Sequence, residues 1–169
     1  MQSYSKVRYG YENICNLSSI IMPLDPFGNK YFEIEFPAIK SASVYYFITP
    51  AGLRYEVRFG RRQDNILHAT IVFGVTNDEF EGEEYVTTNR GEVYGVMNTI
   101  AEIVRTFMRE HPKIMIFEFH AVDRENEGDG NSNARMYLYR RYLPRIFNSG
   151  WKIEINGNFA IVRVKSEHD

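Results

Sequence analysis

Three observations predict an α/β fold for this chain, in the α+β sense: a mixed sheet built from an antiparallel meander, a β-α-β-α unit and a C-terminal hairpin. Residues 31–76 carry short runs of alternating apolar and polar residues separated by turn signals. Residues 92–110 repeat their apolar side chains at helical spacing, and the run that follows, 114–122, is nearly all apolar. Asn156-Gly157 interrupts a β-rich C-terminal stretch, the strongest short-range hairpin signal there is.

The elements follow in order. Residues 1–30 read as an N-terminal arm or loop, because Ile20-Ile21-Met22-Pro23-Leu24-Asp25-Pro26 is apolar but broken by two prolines. Residues 31–169 read as one domain. The first strand is expected over 31–36, with Phe32, Ile34 and Phe36 facing the core. Strands are expected over 43–49, 53–59 and 66–76, joined by turns at Pro50-Ala51-Gly52 and Arg61–Asn65. Residues 77–84 are acidic and loop-like. In the first helix Val93, Val96, Met97, Ile100, Val104, Phe107 and Met108 form one stripe, and Glu92, Glu102, Arg105 and Arg109 take the other side. Asn89 followed three residues later by Glu92 predicts a capping box, and His111-Pro112 ends the helix. The run 114–122 predicts a central strand covered on both faces. A strand, a helix of roughly 20 residues and a second strand predict a right-handed crossover and a parallel pair. A second helix is expected near 133–147, kinked or restarted at Pro144 and stopped by Asn148-Ser149-Gly150; the hairpin occupies 151–164.

Composition bounds the function. The 169 residues have a formal net charge of -2, so nothing in the overall charge draws the chain to nucleic acid. The single cysteine, Cys15, excludes an internal disulfide and argues against a cysteine-built zinc site. No run of 18 apolar residues and no basic-then-apolar leader occurs, which predicts a cytoplasmic, non-secreted protein without a membrane span. Aromatic residues make up 15%, enough to predict sheet-rich packing or adhesive surfaces.

Glu118 and His120 lie two apart on the expected central strand, so they share a face near its C-terminal end, where α/β proteins tend to bind ligands. A carboxylate beside an imidazole is suited to taking a proton from an amine. The loop from Asp123 to Asn133 partly copies a calcium-binding loop, with Gly128 at the sixth position, but Ala134 stands where a bidentate Glu is required; no metal is expected. Arg135, Arg140, Arg141 and Arg145 make the second helix basic, and Arg58, Arg61 and Arg62 form a second group. With Tyr137, Tyr142 and Trp151 they could hold nucleic acid, but the acidic neighbouring loop favours a solvated face. His68, His111 and His168 receive no role.

Ala134-Arg135-Met136-Tyr137-Leu138-Tyr139 followed by Gly150-Trp151, together with the order of elements, resembles the GNAT superfamily of N-acetyltransferases over roughly residues 31–165. The stretch Val86-Thr87-Thr88-Asn89-Arg90-Gly91-Glu92 through Thr99-Ile100, and Arg135-Met136-Tyr137-Leu138-Tyr139-Arg140, is more similar still to small phage-encoded proteins of that layout. The resemblance implies acetyl-CoA as cofactor, held at Arg90, Gly91, Val93 and Gly95, and Tyr139 as the acid that protonates the leaving thiolate, with Glu118 or His120 as base. The cofactor turn departs from the family pattern: Val93 replaces a glycine, Gly95 falls one residue off, and the Glu92 carboxylate is expected to cap the same N–H groups a phosphate needs. Two functions are therefore expected: a non-catalytic phage-type protein that binds other proteins, as accessory factor or particle component, or an acetyl-CoA-dependent N-acyltransferase. Nucleic-acid binding is a weaker third.

Overall fold

The computed structural model describes residues 22–39, 43–76, 92–120, 134–157 and 159–166. The elements run β1 (Ile34–Glu35), β2 (Val44–Ile48), β3 (Arg54–Arg61), β4 (His68–Val75), α1 (Val93–Glu110), β5 (Ile116–His120), α2 (Ala134–Ile146), β6 (Trp151–Asn156) and β7 (Phe159–Val164). The strands form one mixed sheet in the order β1-β2-β3-β4-β5-β7-β6. Every neighbouring pair is antiparallel except β4 and β5, which are parallel and joined through α1, as the crossover argument requires. Asn156 still pairs with Phe159 as the last residue of β6, so the turn begins one residue later than the Asn-Gly signal places it, at Gly157, whose φ of 55° is the left-handed conformation that closes β6 onto β7.

Strand alternation decides which side chains meet the helices. Tyr45 and Phe47 of β2, Tyr55, Val57 and Phe59 of β3, Ala69, Ile71 and Phe73 of β4, Phe117 and Phe119 of β5, and Ala160 and Val162 of β7 are all buried on one face. Both helices pack there. Phe107 of α1 stacks on Phe59 at 3.8 Å and meets Phe117 edge-on, while Tyr139 of α2 touches Phe73 and Phe119. Phe147, just past α2, fills the corner between Phe117 and Trp151. Among the described residues no helix covers the opposite face.

Four expectations need correction. The first strand is shorter than 31–36, because the Tyr31 N–H goes to the Pro23 carbonyl and the Phe32 N–H to Thr99 Oγ1 of α1; only Ile34 and Glu35 remain free to pair with β2, and Phe36 is exposed. Glu102 is buried rather than on an outward side. Residues 22–32 run across α1 there: Asp25 meets Arg105 at 3.5 Å, Arg105 meets Glu102 at 3.0 Å, and Asn98 donates to the Lys30 carbonyl. Val93, expected on the apolar stripe, is exposed, since the stripe meets the sheet only from Val96 onward. Among the described residues, the central strand β5 is covered by helices on one face only. Pro144 sits in the last turn of α2, which runs on to Ile146 before the Phe147 N–H closes on the Leu143 carbonyl. No described helix is long and apolar enough to cross a membrane.

Candidate functional site

The parallel pairing of β4 with β5 assembles the chemistry on the helix-free face. The register sets Thr70 opposite Glu118, so His68, one pleat earlier on β4, lies diagonal to Glu118 on the same side. Glu118 is only 9% exposed. Its Oε1 is in contact with His120 Nε2, and its Oε2 lies 2.8 Å from His68 Nε2 and 3.7 Å from Arg62 Nη1. The His68 contact is a proximity and not a hydrogen bond: the buried Nε2 has no hydrogen-bond partner among the described residues. Arg62 is tied by both arms of its guanidinium to Asp64, at 3.0 Å each, on the solvent side of the cluster.

This arrangement can do one thing well. A buried carboxylate that accepts the Nε2–H of His120 fixes that tautomer and leaves Nδ1 as a base on a side chain that is about half exposed (48%). Glu118 and His120 are thus brought together, as their spacing predicts. His68 and Arg62 join them, and neither was assigned a role here from sequence; the only signal that could have found them is the parallel register of β4 against β5. Among the described residues no three His, Cys, Asp or Glu side chains are arranged to hold a metal ion, and the two imidazoles approach opposite oxygens of Glu118 rather than a common point.

At the start of α1 the structure differs from the expected cap. Asn89, Arg90 and Gly91 lie outside the described residues. Glu92 is itself the N-cap position and makes no side-chain cap bond; its Oε1 instead accepts the Ala51 N–H at 3.0 Å, across from the β2–β3 turn. The capping box fails because the helix begins one residue after Glu92, so the carboxylate is not on its third residue. Val93 is exposed on the first turn. Gly95 is a glycine for packing: a Cβ there would lie 2.6 Å from Phe32 Cζ. The Phe32 ring fills the space that absence leaves.

Tyr139 is 2% exposed and donates its hydroxyl to the His120 carbonyl oxygen at 3.1 Å. That bond ties α2 to the last residue of β5. The arginines are dispersed. Arg58 pairs with Glu56 on the helix-free face, Arg61 lies over the Phe107 ring on the other, and Arg141 and Arg145 sit over Tyr94 and Tyr142. The acidic loop Asp123 to Asn133, the side chain of Arg135, Cys15 and His168 lie outside the described residues. No protein-family model matches this chain, and no curated protein matches it in sequence.

Proposed function

We propose that this chain is a non-catalytic interaction protein on an acetyltransferase-like scaffold, of the phage-type layout its sequence resembles, and that the helix-free face of the sheet receives another protein. One observation carries the reading: the helices lie on one side of the sheet, and the other side is neither a core nor a fully charged surface. Ile48 and Val72 are 59% and 47% exposed there, Arg54 stacks on Tyr46 at 4.3 Å, and Gly74 leaves a depression of about 260 Å3 bordered by Glu56, Arg58 and Val72. Tyr and Arg are enriched at protein interfaces, and here they lie on the same face as the hollow. The scaffold reading is supported by the parallel β4–α1–β5 crossover followed by α2 and a hairpin whose second strand inserts beside β5. The non-catalytic reading is supported by the filled space over Gly95, the Ala51-bound Glu92 and the engaged Tyr139 hydroxyl.

The test is calorimetry with acetyl-CoA on the whole chain, beside affinity capture with parent and an Ile48→Asp, Val72→Asp double variant. No heat from acetyl-CoA, and a captured protein lost on double substitution, is the expected result. Micromolar acetyl-CoA binding would overturn the proposal.

A second reading, N-acyl transfer from acetyl-CoA, is favoured by the Glu118–His120 pair alone. In it His120 Nδ1 takes the proton from an amine while Glu118 steadies the imidazolium. Turnover of an amine that survives in the parent and is lost in both Glu118→Gln and His120→Ala would establish it.

A further inference from the structure

The two edges of the sheet are built differently. At one end β1 is two residues long and is followed by Phe36-Pro37, and a proline blocks continued pairing. At the other end β6 is six residues, Trp151-Lys152-Ile153-Glu154-Ile155-Asn156, in unbroken register with β7, and among the described residues no strand pairs with its outer side. The Lys165 N–H bonds to the Gly150 carbonyl, so the hydrogen-bonded positions of β6 toward β7 are the even ones. The N–H and C=O groups of Ile153 and Ile155 therefore point away from the sheet. On the helix side Trp151, Ile153 and Ile155 continue the apolar layer but are only partly buried.

We propose that β6 pairs antiparallel with β6 of a second copy of this chain, about a two-fold axis through Ile153, joining two sheets into one. The charge pattern selects this register. With Ile153 opposite itself, Lys152 faces Glu154 of the second copy and Glu154 faces its Lys152, at the closely spaced, non-hydrogen-bonded positions where side chains interact most. Centring the pair one residue earlier puts Lys152 on Lys152, and one residue later puts Glu154 on Glu154, both repulsive. Trp151 then faces Ile155 of the second copy, which extends the half-open apolar layer across the junction. The backbone phase agrees: the Ile153 N–H and carbonyl meet their symmetry equivalents, and the Ile155 N–H meets the Trp151 carbonyl of the other copy. The Trp151 N–H is already bonded to the Asn148 carbonyl. In the single copy Glu154 lies 3.2 Å from Lys152 and 3.4 Å from Arg163, so the charges that would cross the axis are already gathered on the helix-free side of the strand.

Sedimentation equilibrium of the full chain, across 1–100 µM, is the test. A dimer of the 19.8 kDa chain is expected. Lys152→Glu alone and Glu154→Lys alone should each weaken self-association at least tenfold, with unchanged far-ultraviolet circular dichroism. The Lys152→Glu, Glu154→Lys exchange should restore it, and a mixture of the two single variants should form the heterodimer in preference to either homodimer. A parent that stays monomeric at 100 µM, or a dimer indifferent to both single charge changes, overturns the proposal.

Discussion

Replacing Gly95 by alanine tests the close approach of the Phe32 ring to the first turn of α1. In a helix interior alanine is better than glycine by about 0.8–1 kcal/mol, so an unobstructed site would be stabilised by that amount. Here the new Cβ would stand 2.6 Å from Phe32 Cζ, 3.0 Å from Cε2 and 3.3 Å from Cε1. Carbon atoms rest at about 3.5–4.0 Å, so the ring must retreat by roughly 1 Å. It has little room: Phe32 is 7% exposed, stacks on Phe47 at 6.0 Å, and its own N–H is held by Thr99. Overpacking of that kind costs about 1–3 kcal/mol. Subtracting the helix gain leaves Gly95→Ala destabilised by about 1 kcal/mol, a fall of about 2–4 °C in Tm for a chain this size. The comparison that decides the cause is Gly95→Ala in a Phe32→Leu background, where the obstructing ring atoms are gone and the same change should stabilise by about 0.8 kcal/mol. Urea denaturation of the four proteins measures the cycle. If Gly95→Ala stabilises the parent, or if its effect is the same in both backgrounds, the Phe32 ring does not occupy this space.

Three further outcomes follow from the same packing. Thr99 is fully buried and its hydroxyl takes the Phe32 N–H at 2.9 Å while donating to the Gly95 carbonyl at 2.7 Å; Thr99→Val orphans that N–H and should lower unfolding free energy by about 1–3 kcal/mol in urea titration. For Asp25, burial pushes the carboxyl pKa up, but hydrogen bonds from the Asn29 N–H and side-chain amide and from the Phe27 N–H, with the Arg105 charge, outweigh it and hold the group below its ordinary 3.8. Its contribution is therefore present at pH well above the ordinary 3.8 and lost as pH falls through the lower folded pKa, so Asp25→Asn should cost about 2 kcal/mol at neutral pH and the gap to the parent should close as acid protonates Asp25; a gap that stays constant from neutral pH into acid would contradict the assignment. Tyr139→Phe removes the hydroxyl that donates to the His120 carbonyl and should cost about 1 kcal/mol, read as a small fall in Tm.

How much of this was legible depends on whether the controlling contact is local. The Asn156-Gly157 hairpin, α1 and the parallel crossover depend on residues close in sequence or on chain length between strands, and the structure has them. The capping box, the burial of Glu102 and the short β1 were misread for one reason. In each case a group that local rules assign to its own neighbourhood is engaged by a distant segment: Glu92 by Ala51, Arg105 and with it Glu102 by Asp25, and the Phe32 N–H by Thr99. The three contacts span 41, 80 and 67 residues respectively, and no periodicity carries information over such distances. That Glu118 and His120 share a face was legible because a two-residue spacing on a strand already fixes it. His68 was not, because its approach to Glu118 exists only in the parallel register.

That register also explains why β5 was expected to be covered on both sides. Ile114-Met115-Ile116-Phe117-Glu118-Phe119-His120 looks continuously apolar because its helix-facing residues, Phe117 and Phe119, are aromatic and its first residues are aliphatic on both faces. The exceptions, Glu118 and His120, both fall on the helix-free side, and Glu118 is buried there by side chains rather than by a helix. A carboxylate so placed must lose its water to His68, His120 and Arg62 or not be buried at all, since an unpaired charge costs several kcal/mol. The two polar residues of β5 therefore lie on the face that the described helices leave open, a reading that the nearly apolar run 114–122 hid in the sequence. Among the described residues, the helices pack on the face of β5 that carries Phe117 and Phe119, opposite Glu118 and His120.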